Sequence, residues 1–338
     1  MVRYLIRRSL FLILVLFIIS ALTFLIFLKL PAGDPARRAA GRRATQETIQ
    51  QVRINLGLDR PWYIQYGRFA KGLIPWPGSL PGLCPEEGCF LNEQVYFSYF
   101  NNVPVKEQLY ERIPYTAVLA LGAAGVWLLV GIPIGIISAI RRRSLFDRAG
   151  MVFALFGVSA PVFWLGFLFL FFFWFKFNQW FGWGFPPSGI PAEESLMTAI
   201  LKGRFLMPWM VLALAFAAFY ARMVRGNLVE TMSEDYIRTA RAKGLSERRV
   251  IFKHGLRAAL TPVVTMFGMD MGYLLGGAII TETVFQIHGL GDYAIRSLFT
   301  NDFPAVMGVT IFASFFIVLA NLLVDVAYAF LDPRVRYT

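Results

Sequence analysis

The chain has 338 residues, of which 57% are hydrophobic and 16% are charged, and its mean hydropathy is +0.56. A soluble domain carries roughly 25% charged residues, so this composition excludes an ordinary soluble protein. The formal net charge of +12 raises the question of a nucleic-acid partner, which the positions of the basic residues answer below.

Six apolar stretches are each long enough to cross a hydrocarbon core of about 30 Å, which takes around 20 helical residues. They lie near residues 9–30, 113–140, 150–175, 206–224, 258–283 and 305–330. We therefore predict an all-α polytopic membrane protein with six transmembrane helices. The first stretch is longer than the apolar region of a signal peptide, and no small-residue cleavage site follows it, so we expect it to be a retained span.

A loop of about 80 residues, 31–112, follows the first span. It is too long for a simple connection, so we predict a small extracytoplasmic subdomain there. Cys84 and Cys89 lie in this loop with Pro85 and Gly88 between them. A local disulfide is the preferred interpretation, free thiols remain the alternative, and two cysteines alone make a poor metal site.

Prolines mark the second and third spans. Pro114 stands at the predicted start of the second span, where the first turn leaves an N–H unpaired in any case. Pro133 and Pro161 lie inside the second and third spans, where each removes a backbone donor. We therefore predict a kink at both positions.

The polar loop 225–257 lies between the fourth and fifth spans. Residues 233–243 suit a short helix that Gly244 would end, and Ser246 can cap a second helix running toward Leu260. Spacing places Tyr236, Ala240 and Lys243 on one face of the first helix. From spacing alone, two roles stay open: insertion into a groove of a cytosolic partner, or contact with anionic lipid.

The fifth span carries Gly268, Gly272 and Gly276 at every fourth position, so these glycines share a helix face that a neighbouring backbone can approach closely. Packing within the chain and an interface with a second subunit are both compatible with this spacing. A central carboxylate such as Asp270 costs about 2.5–3.5 kcal/mol to insert, so we expect it to face a cavity, water or a partner. We predict that Asp270, Tyr273 and Gly276 line a translocation pathway, with structural hydrogen bonding as the alternative for Asp270.

The division predicted along the chain is an N-terminal segment and first helix (1–30), the outer subdomain (31–112), a five-helix core (113–330) and a C-terminal tail (331–338). Segments on one side of the six-span path hold 17 lysines and arginines, whereas the two short connections opposite hold four. The positive-inside rule therefore predicts that both termini and the loop 225–257 are cytosolic. In this interpretation the positions of the basic residues reflect how the chain is oriented in the membrane, and the lipid bilayer rather than nucleic acid is the partner.

The cytosolic loop carries the run YIRTARAKGL (236–245), followed by HGLRAALTP (254–262). This pair resembles the cytosolic coupling motif of ABC-importer permeases, and more narrowly that of the dipeptide/oligopeptide permease family. Further matches extend over almost the whole chain: YLIRR (4–8), GDP (33–35), LGLD (56–59), PSG (187–189), ETVF (282–285), GLG (289–291) and DPRVR (332–336). The departures are Gly255, Ala258, the pair Ile287-His288, and an apparent insertion within 76–100 around the two cysteines.

The resemblance implies the type I ABC-importer permease fold and a subunit of an ATP-driven importer of di- or oligopeptides in a bacterial or archaeal inner membrane. It implies a heterodimer with a homologous second permease subunit, two ABC ATPase subunits that bind ATP and Mg, and an external substrate-binding protein. Relatives in the same family carry nickel chelates, glutathione or oligosaccharides, so the cargo stays open. The implied ATPase-coupling residues are Tyr236, Arg238, Thr239, Ala240, Arg241, Lys243, Gly244 and His254.

No glycine in the chain is followed by lysine, so the phosphate-binding sequence Gly-x-x-x-x-Gly-Lys-Ser/Thr is missing. We therefore expect no ATP hydrolysis and no bound cofactor in this chain. The main rival function is an ion-coupled secondary transporter, which needs several intramembrane ionisable groups, whereas only Asp270 is central. A membrane enzyme is disfavoured because His254 and His288 are predicted on opposite sides of the membrane and cannot form a catalytic or metal cluster.

Overall fold

Apolar helices make up most of the chain in its computed structural model, and the prediction of an all-α fold is confirmed. The structure describes residues 2–29, 34–41, 44–73, 96–101, 103–182, 185–186, 189–191 and 193–331. In the first half the helices are α1 (Val2–Phe24), α2 (Pro35–Ala40), α3 (Gln46–Asn55), α4 (Trp62–Leu73), α5 (Val105–Ile140), α6 (Leu145–Ser159), α7 (Val162–Phe169) and α8 (Phe177–Phe181). They are followed by α9 (Leu196–Leu201), α10 (Leu206–Thr231), α11 (Asp235–Ala242), α12 (Glu247–Arg249), α13 (Leu256–Ala259), α14 (Thr261–Leu275), α15 (Ile279–Val284), α16 (Leu290–Phe299) and α17 (Phe303–Leu331). Wider π-type turns occupy Leu25–Lys29, Leu170–Lys176 and Val250–Gly255.

Within the described residues, five helical segments are long and apolar enough to cross a membrane. They are Ile6–Lys29, Val105–Ile140, Val162–Phe181, Leu206–Thr231 and Phe303–Val326. The pair Glu247–Ala259 and Thr261–Leu275, bent by 45°, makes a sixth if it counts as one span. The six spans predicted from the sequence are thus recovered when the bent pair counts as one span, and three of the six differ in detail.

The effects predicted for the prolines are partly wrong. Helix α5 begins at Val105, so Pro114 lies inside it and not at its start; the helix continues through Pro133, where the kink stays a prediction. Pro161 separates α6 from α7 and so divides the predicted third span. The reason is local: Ala160 has an extended backbone (φ −80°, ψ 123°), as the residue before a proline prefers.

The predicted fifth span, 258–283, is not continuous. Helix α14 ends at Leu275 and α15 begins at Ile279, with Gly277 between them at φ +122°, a conformation that L side chains rarely adopt. The chain turns here because it passes another backbone at close range. A Cβ on Gly291 would lie 2.7 Å from the N and Cα atoms of Ile279.

We expect Gly291→Ala to lower the stability of the protein, because backbone atoms cannot yield to the added methyl group as a flexible side chain could. Overpacking of this kind costs about 1–3 kcal/mol, and the apparent melting temperature in detergent micelles measures it. Gly125→Ala is the matched control, since no atom lies within 4 Å of the added Cβ and alanine favours the helix. Equal melting temperatures for the two variants would contradict the close backbone approach.

The chain folds as two compact units. The first comprises Met1–Thr116, Leu275–Ile279 and His288–Leu319. Its apolar core is built around Phe24, Phe69, Tyr96, Leu109 and Met307. The Tyr96 hydroxyl donates to the carbonyl of Phe69 at 2.9 Å, so α4 is joined to the segment that precedes α5.

The second unit comprises Ala117–Leu274, Ile280–Ile287 and Ala320–Thr338. Helix α10 is its central element and packs against α6, α7 and α13. Gly131 and Gly135 of α5 allow the backbone of α10 to come close: their added Cβ atoms would meet the carbonyl oxygens of Ala217 and Ala221 at 2.8 and 2.7 Å. Gly268 packs against the side chain of Val324 on α17, so at this glycine the close partner belongs to the same chain.

Candidate functional site

The loop between α10 and α14 contains a short helix with a well-defined end. Gly244 follows α11 in the left-handed conformation, at φ +75°. The Gly244 N–H donates to the Arg241 carbonyl at 2.9 Å, and the Leu245 N–H reaches the Ala240 carbonyl at 3.4 Å. This pair of bonds is the Schellman arrangement, which glycine favours because it lacks a Cβ. The structure therefore agrees with the expected stop at Gly244.

A small apolar core holds α11 against the following segment. Ile237 is fully buried, Ala240 is nearly so, and both pack on Val250. Met232 and Leu245 close this core at either end of the helix. Because these contacts lie within the loop, the position of α11 is fixed by the loop itself.

The outer face of α11 is polar and positively charged. Arg238, Thr239 and Lys243 are exposed, and Tyr236 is nearly half exposed. The predicted common face of Tyr236, Ala240 and Lys243 is corrected in one respect: Ala240 is buried. Spacing alone did not show which part of that face is covered, and Ala240 packs on Val250.

Two of the arginines in the loop, Arg238 and Arg241, form ion pairs with nearby carboxylates. Arg238 pairs with Asp235 at 3.2 Å, on the same helix. Arg241 reaches across the turn to Glu247, at 2.7 Å and 3.2 Å. This contact lowers the pKa of the Glu247 carboxyl, since the hydrogen bond from Arg241 stabilises its charged form. Sequence reasoning missed both carboxylates, although their spacing to arginine was visible.

The second loop helix differs from its prediction. Ser246 stands in the N-cap position, but its side chain makes no capping hydrogen bond. His254 is half-buried in the π-type turn Val250–Gly255. Gly255, one of the departures from the family pattern, has a packing reason: its added Cβ would lie 2.9 Å from the Met232 sulfur.

A buried ion pair joins the start of α6 to the end of α10. The Asp147 carboxylate accepts from Arg225 Nε at 2.6 Å and from a second guanidinium nitrogen at 2.9 Å. The backbone N–H of Arg143 donates to it at 2.8 Å. The Arg225 hydrogen bonds lower the pKa of Asp147 to about 2. Sequence reasoning missed this pair because its members lie 78 residues apart, and the capping sequence from Ser144 to Asp147 marks only the start of α6.

The predicted pathway residues lie along α14 and just after it. Asp270 accepts a hydrogen bond from the Tyr220 hydroxyl at 2.7 Å. Tyr273, one turn further along α14, is 66% exposed, and Gly276 is half-buried. Structural hydrogen bonding, the alternative role of Asp270, thus has a partner in Tyr220. The pathway role of Asp270, Tyr273 and Gly276 stays a prediction. Cys84 and Cys89 lie outside the described residues.

Comparison with known proteins covers the whole chain. The family described as binding-protein-dependent transport system inner membrane component matches residues 131–337. The N-terminal family of such transport system membrane components matches residues 1–120. A peptide transport system permease protein of Brucella abortus (strain 2308) is 37% identical over 324 residues, which are 96% of this chain and 95% of the relative.

A second relative carries a different name. The glutathione transport system permease protein GsiC of Escherichia coli (strain K12) is 38% identical over 338 residues, or 100% of both chains. Among solved structures, a chain of the MetNI methionine ABC transporter in an inward-facing conformation matches with a TM-score of 0.52 at 19% identity. That match covers 68% of this chain and 98% of the other, and at this identity it bears on the fold alone.

Proposed function

Because this chain belongs to the family of binding-protein-dependent transport system inner membrane components, we propose that it is the membrane-spanning permease subunit of an ATP-driven importer of di- and oligopeptides. The observation that carries the proposal is the similarity over the full length of the chain, 37% and 38%, to permeases named for peptide and glutathione transport. Glutathione is itself a tripeptide, so peptides are the cargo class that fits both names.

The proposed partners are a homologous second permease subunit, two ABC ATPase subunits and an external substrate-binding protein. Helix α11 is proposed to contact an ATPase subunit through its exposed face, where Arg238 and Lys243 would pair with acidic groups. Arg238 makes a single exposed contact with Asp235, whereas Arg241 donates two hydrogen bonds to Glu247 across the turn, so Arg241 is proposed to hold the turn. Closure of the ATPase pair would move α11, and the spans would change between inward- and outward-facing arrangements.

The chain is proposed to carry no catalytic activity of its own. It lacks a Gly-Lys pair and with it the phosphate-binding sequence, so ATP and Mg are expected in the partner subunits. Both termini are proposed to be cytosolic, which puts the loop 225–257 beside the ATPases and residues 31–112 on the side of the binding protein. The division into 1–30, 31–112, 113–330 and 331–338 follows from this topology.

Glutathione is the second candidate cargo, and the full-length similarity to the Escherichia coli permease favours it. Oligosaccharides and nickel chelates remain expectations from the wider family without an observation of their own. An ion-coupled secondary transporter would require transport by this chain without an ATPase.

The test is co-purification followed by transport. We expect the tagged chain, isolated in mild detergent from its own cells, to bring an ATPase and a second permease. Vesicles holding this complex and the loaded binding protein are expected to accumulate trialanine or glutathione only when ATP is supplied. The chain alone, in matched vesicles, is the control. Accumulation against a gradient by the chain alone would favour the secondary transporter and overturn the proposal.

A further inference from the structure

Only one of the two carboxylate oxygens of Asp270 accepts a hydrogen bond from a described residue. Its Oδ2 atom accepts the Tyr220 hydroxyl at 2.7 Å, and Tyr220 is its sole hydrogen-bond partner among the described residues. Tyr220 is fully buried, whereas Asp270 is partly exposed. One carboxylate oxygen therefore remains available on the exposed side.

Tyr220, the hydrogen-bond partner of Asp270, belongs to an aromatic cluster. Trp127 of α5 stacks on Phe216 of α10 with ring centroids 4.6 Å apart. Its ring lies 6.0 Å from that of Tyr220 and 6.2 Å from that of Phe267 on α14. Through Tyr220 the Asp270 carboxylate lies next to this cluster, and a charge beside apolar groups interacts more strongly than it would in bulk water.

The nearest exposed residues of α14 on either side of Asp270 in the sequence are uncharged. Met269 and Tyr273 flank Asp270 on α14, and both are exposed. No lysine, arginine or histidine of the described residues pairs with Asp270. A central carboxylate without a basic partner of its own is expensive in a membrane, so it favours a partner that arrives from outside the chain.

Resting on the function proposed above, we propose that Asp270 and Tyr220 form a transient site for a positively charged nitrogen of the cargo, such as the α-ammonium group of a peptide. The free carboxylate oxygen accepts an N–H of the ammonium group, which is a charge-assisted hydrogen bond. The Tyr220 hydroxyl holds the carboxylate in place through the other oxygen. The exposed ring of Tyr273, one turn along the helix, offers a cation–π contact on the same side.

This site distinguishes classes of cargo. Peptides and glutathione carry an ammonium group, whereas neutral oligosaccharides do not. A single available oxygen provides one strong contact instead of a complete binding pocket, which suits a cargo that must leave again.

The experiment uses the complete transporter in vesicles with saturating loaded binding protein. The cargoes are trialanine and propionyl-dialanine, which is trialanine with the ammonium group replaced by hydrogen. We expect Asp270→Asn to slow trialanine uptake about tenfold and to leave propionyl-dialanine uptake within about twofold. Asparagine still accepts from Tyr220, so the structural hydrogen bond is kept. Tyr220→Phe, which keeps the charge, is expected to have a smaller effect.

If the wild-type transporter does not carry propionyl-dialanine, the two cargoes cannot be compared, and Asp270→Glu provides the test instead. Near-normal trialanine uptake by the glutamate variant, beside slow uptake by the asparagine variant, would support the site; slow uptake by both would overturn it. Equal loss for both cargoes, or no loss, would also overturn it. If Asp270→Asn separates the permease subunits on size-exclusion chromatography, Asp270 serves the subunit interface and the cargo role is wrong. Absence of trialanine uptake by the wild type would instead contradict the proposed peptide cargo.

Discussion

Replacing Gly244 with valine is expected to reduce ATP-driven uptake at least about tenfold while the partner subunits continue to hydrolyse ATP. Gly244 has φ +75°, and an L-residue in the left-handed region costs roughly 1–2 kcal/mol, with β-branched residues the least tolerated. No atom lies within 4 Å of the added Cβ, so the effect comes from backbone conformation and not from a clash. The Schellman arrangement is expected to open, which releases Leu245 from its contact with α11.

Gly244→Asn provides the control for this experiment. Asparagine tolerates the left-handed conformation better than any β-branched residue, so the end of α11 is expected to be retained. Uptake by the asparagine variant is expected to stay within about fivefold of the wild type, because the residual strain is about 1 kcal/mol. Uptake and ATPase activity are measured in vesicles with equal amounts of each variant. Wild-type uptake by Gly244→Val would contradict a coupling role for this turn.

Arg225→Gln is expected to destabilise the protein strongly, by about 3–5 kcal/mol, because it leaves the buried carboxylate of Asp147 without its cation. The side chain of Asp147 is 6% exposed and that of Arg225 is 25% exposed. We therefore expect Asp147→Asn to cost less than Arg225→Gln, since the guanidinium can still reach solvent. The apparent melting temperature in detergent and the abundance in membranes both report the change.

The double variant Asp147→Asn/Arg225→Gln tests whether the two residues act as a pair. It is expected to be more stable than Arg225→Gln alone, because the unpaired charge is removed. Arg222→Gln is the matched control, since Arg222 lies one turn away on α10, is exposed, and has no ion pair within the described residues. Additive losses in the double variant would show that the ion pair is not the source of stability.

The lowered pKa of Asp147 sets the pH range over which the ion pair with Arg225 stabilises the protein. The carboxyl ionises below its ordinary pKa of 3.8, at about 2, because Arg225 stabilises the charged form. The stability it provides is therefore fully present above about pH 4 and is lost as the pH falls through about 2. Stability measured between pH 5 and 8 is expected to show no titration of this pair.

The sequence determined those features that depend on local pattern. Apolar length predicts the membrane spans because about 20 helical residues are needed wherever such a segment lies. Gly244 ends α11 because its backbone freedom acts on adjacent residues. The loop motif at 236–245 is likewise continuous in sequence, so its resemblance to ABC-importer permeases is visible without any coordinates.

Tertiary structure alone decided which groups meet over long separations. Tyr220 and Asp270 are 50 residues apart, and Asp147 and Arg225 are 78 apart. Each pair forms because packed helices bring its members together, and no local propensity encodes that contact. The break after α14 has the same origin, since the backbone at Gly277 and Ile279 yields to the close passage of Gly291. Helical periodicity fixes which residues share a face, whereas packing fixes what that face touches.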